Sequence, residues 1–371
     1  MLALNRLDTI MIDPVQQVAH VGAGAITADV QRAAERQGLL YAPDPSSQSV
    51  STMGGNIACN AGGPRCLKYG VTANYVTGLT VVLADGQVMH VGDSLSGQTS
   101  DGWLLQLLIG SEGTLAAITV ATVRLLPQPA AHRTTLAVFQ RLDDACTTVE
   151  RIMAAGVLPA SLELMDTTTI NVVEDNLHLG LPREAGALLL LLADGEPEQV
   201  AWESQRLAEL ARQGGAQHVQ VAQSAADERG FWQARRSISP SLARVQPNKI
   251  SEDICVPLPR IAETVRRIKA IGENYNLTIP VFGHAGDGNL HPNVLFDARD
   301  PHQTERAWRA AEAIFAVALD VGGTLSGEHG IGTLKRPFLA AALGRDVVRL
   351  HQQIKARFDP TRRLNPGKVL E

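Results

Sequence analysis

The stretch "GHAGDGNLHPNVLF", residues 283–296, sets His284 and His291 seven positions apart with Gly286-Asp287-Gly288-Asn289 between them. Asp-Gly is a strong hairpin signal when apolar residues flank it, here Val281 and Phe282 ahead and Val294, Leu295 and Phe296 behind. A two-residue loop at Asp287-Gly288 predicts paired strands with His284 directly opposite His291. Facing residues of an antiparallel pair share one side of the sheet, with Cβ atoms about 5 Å apart. Two imidazoles so placed can hold one ion between them. On this stretch alone, a polar turn with two unrelated surface histidines is the alternative.

Outward from that hairpin, the whole chain sets bounds. Its 371 residues suffice for two domains with sizeable cores. A net charge of −5 leaves no electrostatic footprint for nucleic acid or an anionic membrane. Cys59, Cys66, Cys146 and Cys255 show no CxxC spacing, which indicates neither a zinc ribbon nor a disulfide framework and suits a reducing compartment. Arg6, Asp8 and Asp13 interrupt the N-terminal run, so it does not read as a secretory signal. The longest apolar run, residues 187–193, is too short to span a bilayer and reads as a buried strand. The expected location is cytoplasmic, either free or peripheral at the inner face of the membrane.

The elements fall into two textures. A strand over 15–22, a helix over 27–38 stopping at Gly38, a hairpin turning at Asp85-Gly86 and a helix–turn–strand over 104–125 come first. Two prolines within residues 126–129 mark a domain boundary. Beyond it a strand at 134–139, helix 143–155, strand 187–193 and helix 197–213 predict an open sheet with helices on one face. Further helices are expected over 257–274, 302–321 and 345–357, before an irregular tail, "FDPTRRLNPGKVL".

Several motifs carry chemistry. In "GGTLSGEHGIGTLKRPFL", residues 322–339, glycines surround Glu328 and His329. His284, His291 and Glu328 together make a His₂Glu set of the kind that leaves catalytic zinc an open position. Adjacent residues seldom bind one ion together, which leaves His329 as a base beside it. Arg235 and Arg236 open a helix-like segment, where an arginine could clamp a substrate carboxylate, although most arginine pairs are surface charges. Two glycine clusters, "STMGGNIACNAGG" and "GSEGTLAAIT", could cradle a pyrophosphate with backbone N–H groups or be tight structural turns. Neither contains GxGxxG or GxxxxGK[ST], so neither a Rossmann nor a P-loop site is indicated.

Taken jointly, "PDPSSQSVSTMGGNIACNAGGPRCLKYGVT", "GSEGTL", "SEDICVP", "GHAGDGNLH", "SGEHGIGTLK" and "LNPGKVL" resemble, in order, the FAD-linked oxidases of the vanillyl-alcohol-oxidase type. The hydroxy-acid branch is the nearest: D-lactate dehydrogenase, the glycolate oxidase flavoprotein subunit and D-2-hydroxyglutarate dehydrogenase. The resemblance implies an α+β fold, with a PCMH-type FAD-binding domain over 1–128 and an oxidase C-terminal domain over 129–371. That second domain is an antiparallel sheet covered by helices, and its tail 358–371 returns to the flavin.

It implies FAD-dependent oxidation of a D-2-hydroxy acid to the 2-oxo acid, with hydride passing to flavin N5 and a divalent metal, zinc by chemistry, assisting. His284, His291 and Glu328 match the metal ligands, His329 the catalytic histidine, Arg235 the carboxylate-binding arginine and Lys249 a substrate-contacting lysine. Gly54, Gly55, Asn60, Gly62, Gly63, Gly110, Ser111, Gly113, Ile118 and Asn365 fall where the family contacts flavin. A quinone, a cytochrome or an electron-transfer flavoprotein would take the electrons, and a homodimer or partner subunit is expected. The chain departs from the pattern by starting partway into the FAD domain, which predicts weak FAD binding. It also carries Ala116-Ala117 where the family has a glycine. A metal-dependent hydrolase and a non-catalytic subunit needing a partner are the competing readings.

Overall fold

The computed structural model describes residues 2–92 and 102–370. The chain divides into two compact units, Met1–Gln128 with Glu328–Glu371, and Pro129–Gly327. The first junction falls in the proline segment. The second leaves Glu328–Glu371 grouped with the first unit.

In the first unit, Ile10–Asp13, Val18–Gly22, Ala117–Arg124, Val76–Val82 and Val88–Gly92 form, in that spatial order, a five-stranded sheet with every pairing antiparallel. Thr27–Glu35, Met53–Cys59 and Gly102–Leu108 are helical, as is Arg345–Phe358 from the returning segment. The first helix stops at Glu35, three residues short of expectation, and Gly38 follows at φ +70°. The hairpin around Asp85-Gly86 forms as expected, with Val82 opposite Val88. The core gathers Tyr41, Met53, Ile57, Leu79, Val81, Leu105 and Val123, with Ile354 and Phe358 packed against it.

The second unit is built on eight strands. Seven run in the order His218–Val221, Ala131–Phe139, Ala187–Gly195, Ser161–Asp166, Val281–His284, Asn289–Phe296, Asn248–Ser251, and the short Ile254–Cys255 also pairs with Asn289–Phe296. Every pairing is antiparallel. Ser161–Asp166 and Asn289–Phe296 are buried at every position, so both faces of the central sheet are covered rather than the single face expected. Leu142–Ala154, Pro197–Gln213, Ile261–Tyr275 and Pro301–Asp320 form one group of helices; Thr167–Leu177, Ala225–Arg236 and Ile238–Val245 form the other.

Local chemistry sets the helix starts. Asp166 ends its strand and caps the next helix by accepting from the Thr169 amide at 2.8 Å. Ser224 and Asp227 form a reciprocal capping box at the head of Ala225–Arg236. Asp300 caps Pro301–Asp320, whose first position is proline. Among the described residues, no helix is long and apolar enough to cross a membrane.

Candidate active site

The hairpin forms, but in a different register. His284 lies opposite Asn289 and His291 opposite Phe282, closing a four-residue loop over 285–288 rather than a two-residue one. The reason is local. Gly288 takes φ +78° with its α-carbon against the Val256 carbonyl, and a Cβ there would lie 2.0 Å from that oxygen. The Val256 amide in turn donates to the Gly288 carbonyl at 3.0 Å. The register is displaced by two residues. An even displacement preserves side-chain direction, whereas an odd one would send a histidine to the opposite face. The two imidazoles therefore still meet, as diagonal neighbours, with ring centroids 5.1 Å apart and planes at 85°. Both are buried, at 3% and 5% exposure.

The same face carries a charge the sequence did not reveal. Glu163, in Ser161–Asp166, is the direct cross-strand partner of His284 and has no exposed surface. Its Oε1 lies 2.6 Å from His284 Nδ1, and its Oε2 accepts from Arg235 Nε at 2.5 Å. Burial alone would raise the pKa of this carboxyl, but Arg235 and His284 outweigh that and hold it below the usual range. The only sequence signal is one glutamate inside the apolar run "SLELM".

Arg235 closes the helix Ala225–Arg236 rather than opening one, so its side chain reaches the sheet from the last helical turn. Its guanidinium carbon lies 4.9 Å from the centroid of the Phe282 ring, itself 5.5 Å from that of His291. With Nε committed to Glu163, the Nη1/Nη2 fork is the part of the group suited to a carboxylate.

Lys249 pairs with Leu295 across the sheet, on the face that carries His291. Its ammonium donates to Ser239 Oγ at 2.7 Å, and partial burial lowers its pKa. Arg235 and His284 meet at Glu163, His291 packs on His284, and Lys249 lies on the same face opposite the far end of Asn289–Phe296. Asp253 accepts from Ser326 Oγ at 2.7 Å and from the Gly327 amide at 3.1 Å, and lies 4.0 Å from His291 Nδ1. It fixes the chain immediately before Glu328. Gly327 approaches Asn289 so closely that a Cβ would fall 2.6 Å from its side-chain amide. Both Asp253 and Asn289 lie inside motifs singled out above, but as unassigned positions.

The first unit holds the remaining site residues. Glu328 is half-buried and His329 exposed. A Cβ on Gly62 would sit 2.8 Å from both Glu328 Oε2 and Cys66 Sγ, so a larger residue there would displace those side chains. The two glycine clusters are pinned together, since the Gly110 amide donates to Ile57 O and the Glu112 amide to Ala58 O. Gly54 and Gly55 lie in Met53–Cys59, which Thr52 caps through the Gly55 amide. Asn60 ends that helix in the left-handed region, and its Oδ1 accepts from the Ala73 amide. Gly63, Gly110 and Gly113 also have positive φ, with Ser111 between the last two.

Glu112, missed in the sequence, binds both the Ile331 and Gly332 amides, which ties "GSEGTL" to "SGEHGIG". Asn365 Nδ2 donates to Glu112 O at 2.6 Å and occupies the space a Cβ on Gly113 would need. Ile118 differs from the rest. Its side chain is 6% exposed and belongs to the core, leaving its backbone as the part that a ligand could meet.

Small residues, positive φ and the exposed backbone at Gly55 fit a large flat cofactor lying against main chain. The paired imidazoles, with Nδ1 of His284 committed to Glu163, fit a divalent ion on the other ring nitrogen.

The fold is shared with solved structures of low sequence identity. p-Cresol methylhydroxylase with substrate bound superposes with a TM-score of 0.78 at 16% identity, over 98% of this chain and 78% of that one. The chain belongs to the FAD-linked oxidases: the family described as "FAD linked oxidases, C-terminal domain" matches residues 128–369, and "FAD binding domain" matches residues 1–92, which makes it a FAD-dependent oxidoreductase. Glycolate oxidase subunit GlcD of Bacillus subtilis is 44% identical over 358 residues, covering 96% of this chain and 76% of that protein. A D-lactate dehydrogenase of Anaerostipes hadrus is 35% identical over 384 residues, 100% of this chain and 79% of the relative.

Proposed function

We propose that the chain oxidises a D-2-hydroxy acid of the D-lactate, glycolate or D-2-hydroxyglutarate class to the corresponding 2-oxo acid. The observation that carries this reading is the face shared by Arg235, His284 and His291, which sets a carboxylate clamp beside two metal-type ligands. Relatives named glycolate oxidase and D-lactate dehydrogenase act on molecules of that kind. Membership of a flavin oxidoreductase family argues against the metal-dependent hydrolase reading.

In this reading, the Arg235 fork pairs with the substrate carboxylate and fixes the hydroxyl-bearing carbon, with Lys249 as a further polar contact. His284, His291 and Glu328 hold a divalent ion, zinc by ligand chemistry, which supplies Lewis acidity toward a hydroxyl oxygen when bound. Bound FAD supplies the two-electron acceptor. Gly54, Gly55, Asn60, Gly62, Gly63, Gly110, Ser111, Gly113, Ile118 and Asn365 supply its surroundings. His329 takes the hydroxyl proton as the carbon is oxidised. The relatives' designation as a subunit supports a partner chain. A quinone, cytochrome or electron-transfer flavoprotein is the next acceptor in this reading.

Anaerobic mixing of the FAD-loaded chain with D-lactate, glycolate or D-2-hydroxyglutarate tests this. At least one should bleach the flavin, and His329→Asn should slow that bleaching by about 10²–10⁴ while FAD stays bound. Wild-type bleaching rates in His329→Asn would remove His329 as the base.

A further inference from the structure

We propose that Glu163 is a positioning residue serving the metal ligand His284 and the substrate clamp Arg235 at once. The inference rests on the reading just given and adds a residue to it.

A carboxylate with no exposed surface, between Leu162 and Leu164 on a central strand, is costly unless its partners use both oxygens. Here they do, and the two partners differ in chemistry. Oε1 lies 2.6 Å from His284 Nδ1, and Oε2 accepts from Arg235 Nε at 2.5 Å. Ser161 Oγ adds a weaker contact to Oε1 at 3.3 Å. The strand register holds this arrangement, since Glu163 and His284 are direct cross-strand partners.

Each bond selects one state of its donor. A hydrogen on His284 Nδ1 leaves the lone pair on Nε2, the nitrogen a metal would use, and the carboxylate raises the ring's basicity. Occupying Arg235 Nε leaves the opposite Nη1/Nη2 edge as a planar fork. A glutamine at 163 keeps the shape but offers one oxygen and one NH₂. One of the two donors would then face a donor, so either the histidine tautomer or the arginine orientation must be lost.

Zinc is the probe. Competition against a chelator on the FAD-loaded full chain should show one tight site in the wild type, lost in His284→Ala. Glu163→Gln should weaken zinc by about 10–100-fold, with flavin absorbance retained as the sign of a folded chain. Glu163→Asp keeps the anion and should bind zinc more tightly than Glu163→Gln. Wild-type affinity in Glu163→Gln, or the reverse order of the two variants, overturns the role of Glu163 while the metal site stands. Absence of zinc from the wild type itself would instead overturn the metal reading, and this inference with it. Should Glu163→Gln fail to fold, nitrogen NMR of histidine in the zinc-loaded wild type decides. Ligation of His284 through Nε2 with a slowly exchanging Nδ1 proton is expected, and ligation through Nδ1 overturns the proposal.

Discussion

Each unit of the molecule buries an ionic cluster, and the two are built to different ends. In the first, Lys355 lies in the last turn of Arg345–Phe358 with 4% exposure. Its three ammonium donors meet three acceptors: Thr114 O at 2.9 Å, Leu364 O at 2.8 Å and Asp359 Oδ2 at 2.6 Å. Asp359 is saturated in turn by the Arg363 and Leu364 amides. Every bond of that clasp fastens the C-terminal tail, placing Asn365 against Glu112. In the second unit, Glu163 is equally buried, but its main partners are two functional side chains rather than backbone groups. The carboxylate meets Arg235 at Nε and His284 at Nδ1, one nitrogen of each. A buried cluster saturated by backbone groups holds a chain segment in place, whereas one that fixes a single nitrogen on each of two side chains sets how those side chains face a ligand.

The sharpest way to break this contrast is to truncate the clasp. Lys355→Met leaves Asp359 buried without its cation, which costs about 3–5 kcal/mol of stability. Chemical denaturation followed by flavin release should show that loss, while the turnover of the still-folded protein at low temperature stays near wild type. Unchanged stability would mean that the clasp is not a fastening.

Arg235→Met tests the other side, with a somewhat smaller effect. Losing a charge-assisted, forked contact to a carboxylate should lower kcat/KM for the hydroxy acid by about 10²-fold, close to 3 kcal/mol. The loss should fall mainly on KM, because the clamp binds substrate and transition state alike. An Arg235→Met enzyme with wild-type KM would reduce Arg235 to a structural counterion of Glu163.

The sequence makes one of these clusters more legible than the other. The paired histidines, the glycine loops and Arg235 carry recognisable spacing or motif, and the apolar strand at 187–193 and the helices near 197–213 and 302–321 follow from the pattern of apolar residues. Glu163 was hidden because a lone glutamate in "SLELM" could as well face water on an edge strand. Only pairing with both Ala187–Gly195 and Val281–His284 makes its strand central. The hairpin register departs from the expected one because Asp-Gly specifies a tight turn only where neighbours leave it free, and here Val256 claims Gly288. Lys355 and Asp359 read as an ordinary i,i+4 surface pair, since the acceptors that bury them, Thr114 and Leu364, are backbone carbonyls with no side-chain signature.

Acid supplies the smallest effect and distinguishes the clasp most cleanly. Burial pushes the Asp359 carboxyl upward, but Lys355 and the backbone donors more than reverse that and bring its pKa down to about 2, below the ordinary 3.8. A carboxyl depressed in the folded state stabilises the fold above its unfolded pKa, and that contribution disappears as pH falls through the folded value. The interval from about pH 5 down to about pH 2 should therefore cost the first unit about 2 kcal/mol from this group alone. Glu163 is depressed too and adds to the wild-type loss, so a single acid titration does not separate the clusters. Comparison with Lys355→Met does. Without its cation, Asp359 titrates closer to its unfolded value, and the variant should lose less stability than the wild type over the same interval. Urea melts at pH 6, 4 and 3 measure the two slopes, and parallel slopes would show that Lys355 is not what holds Asp359 ionised.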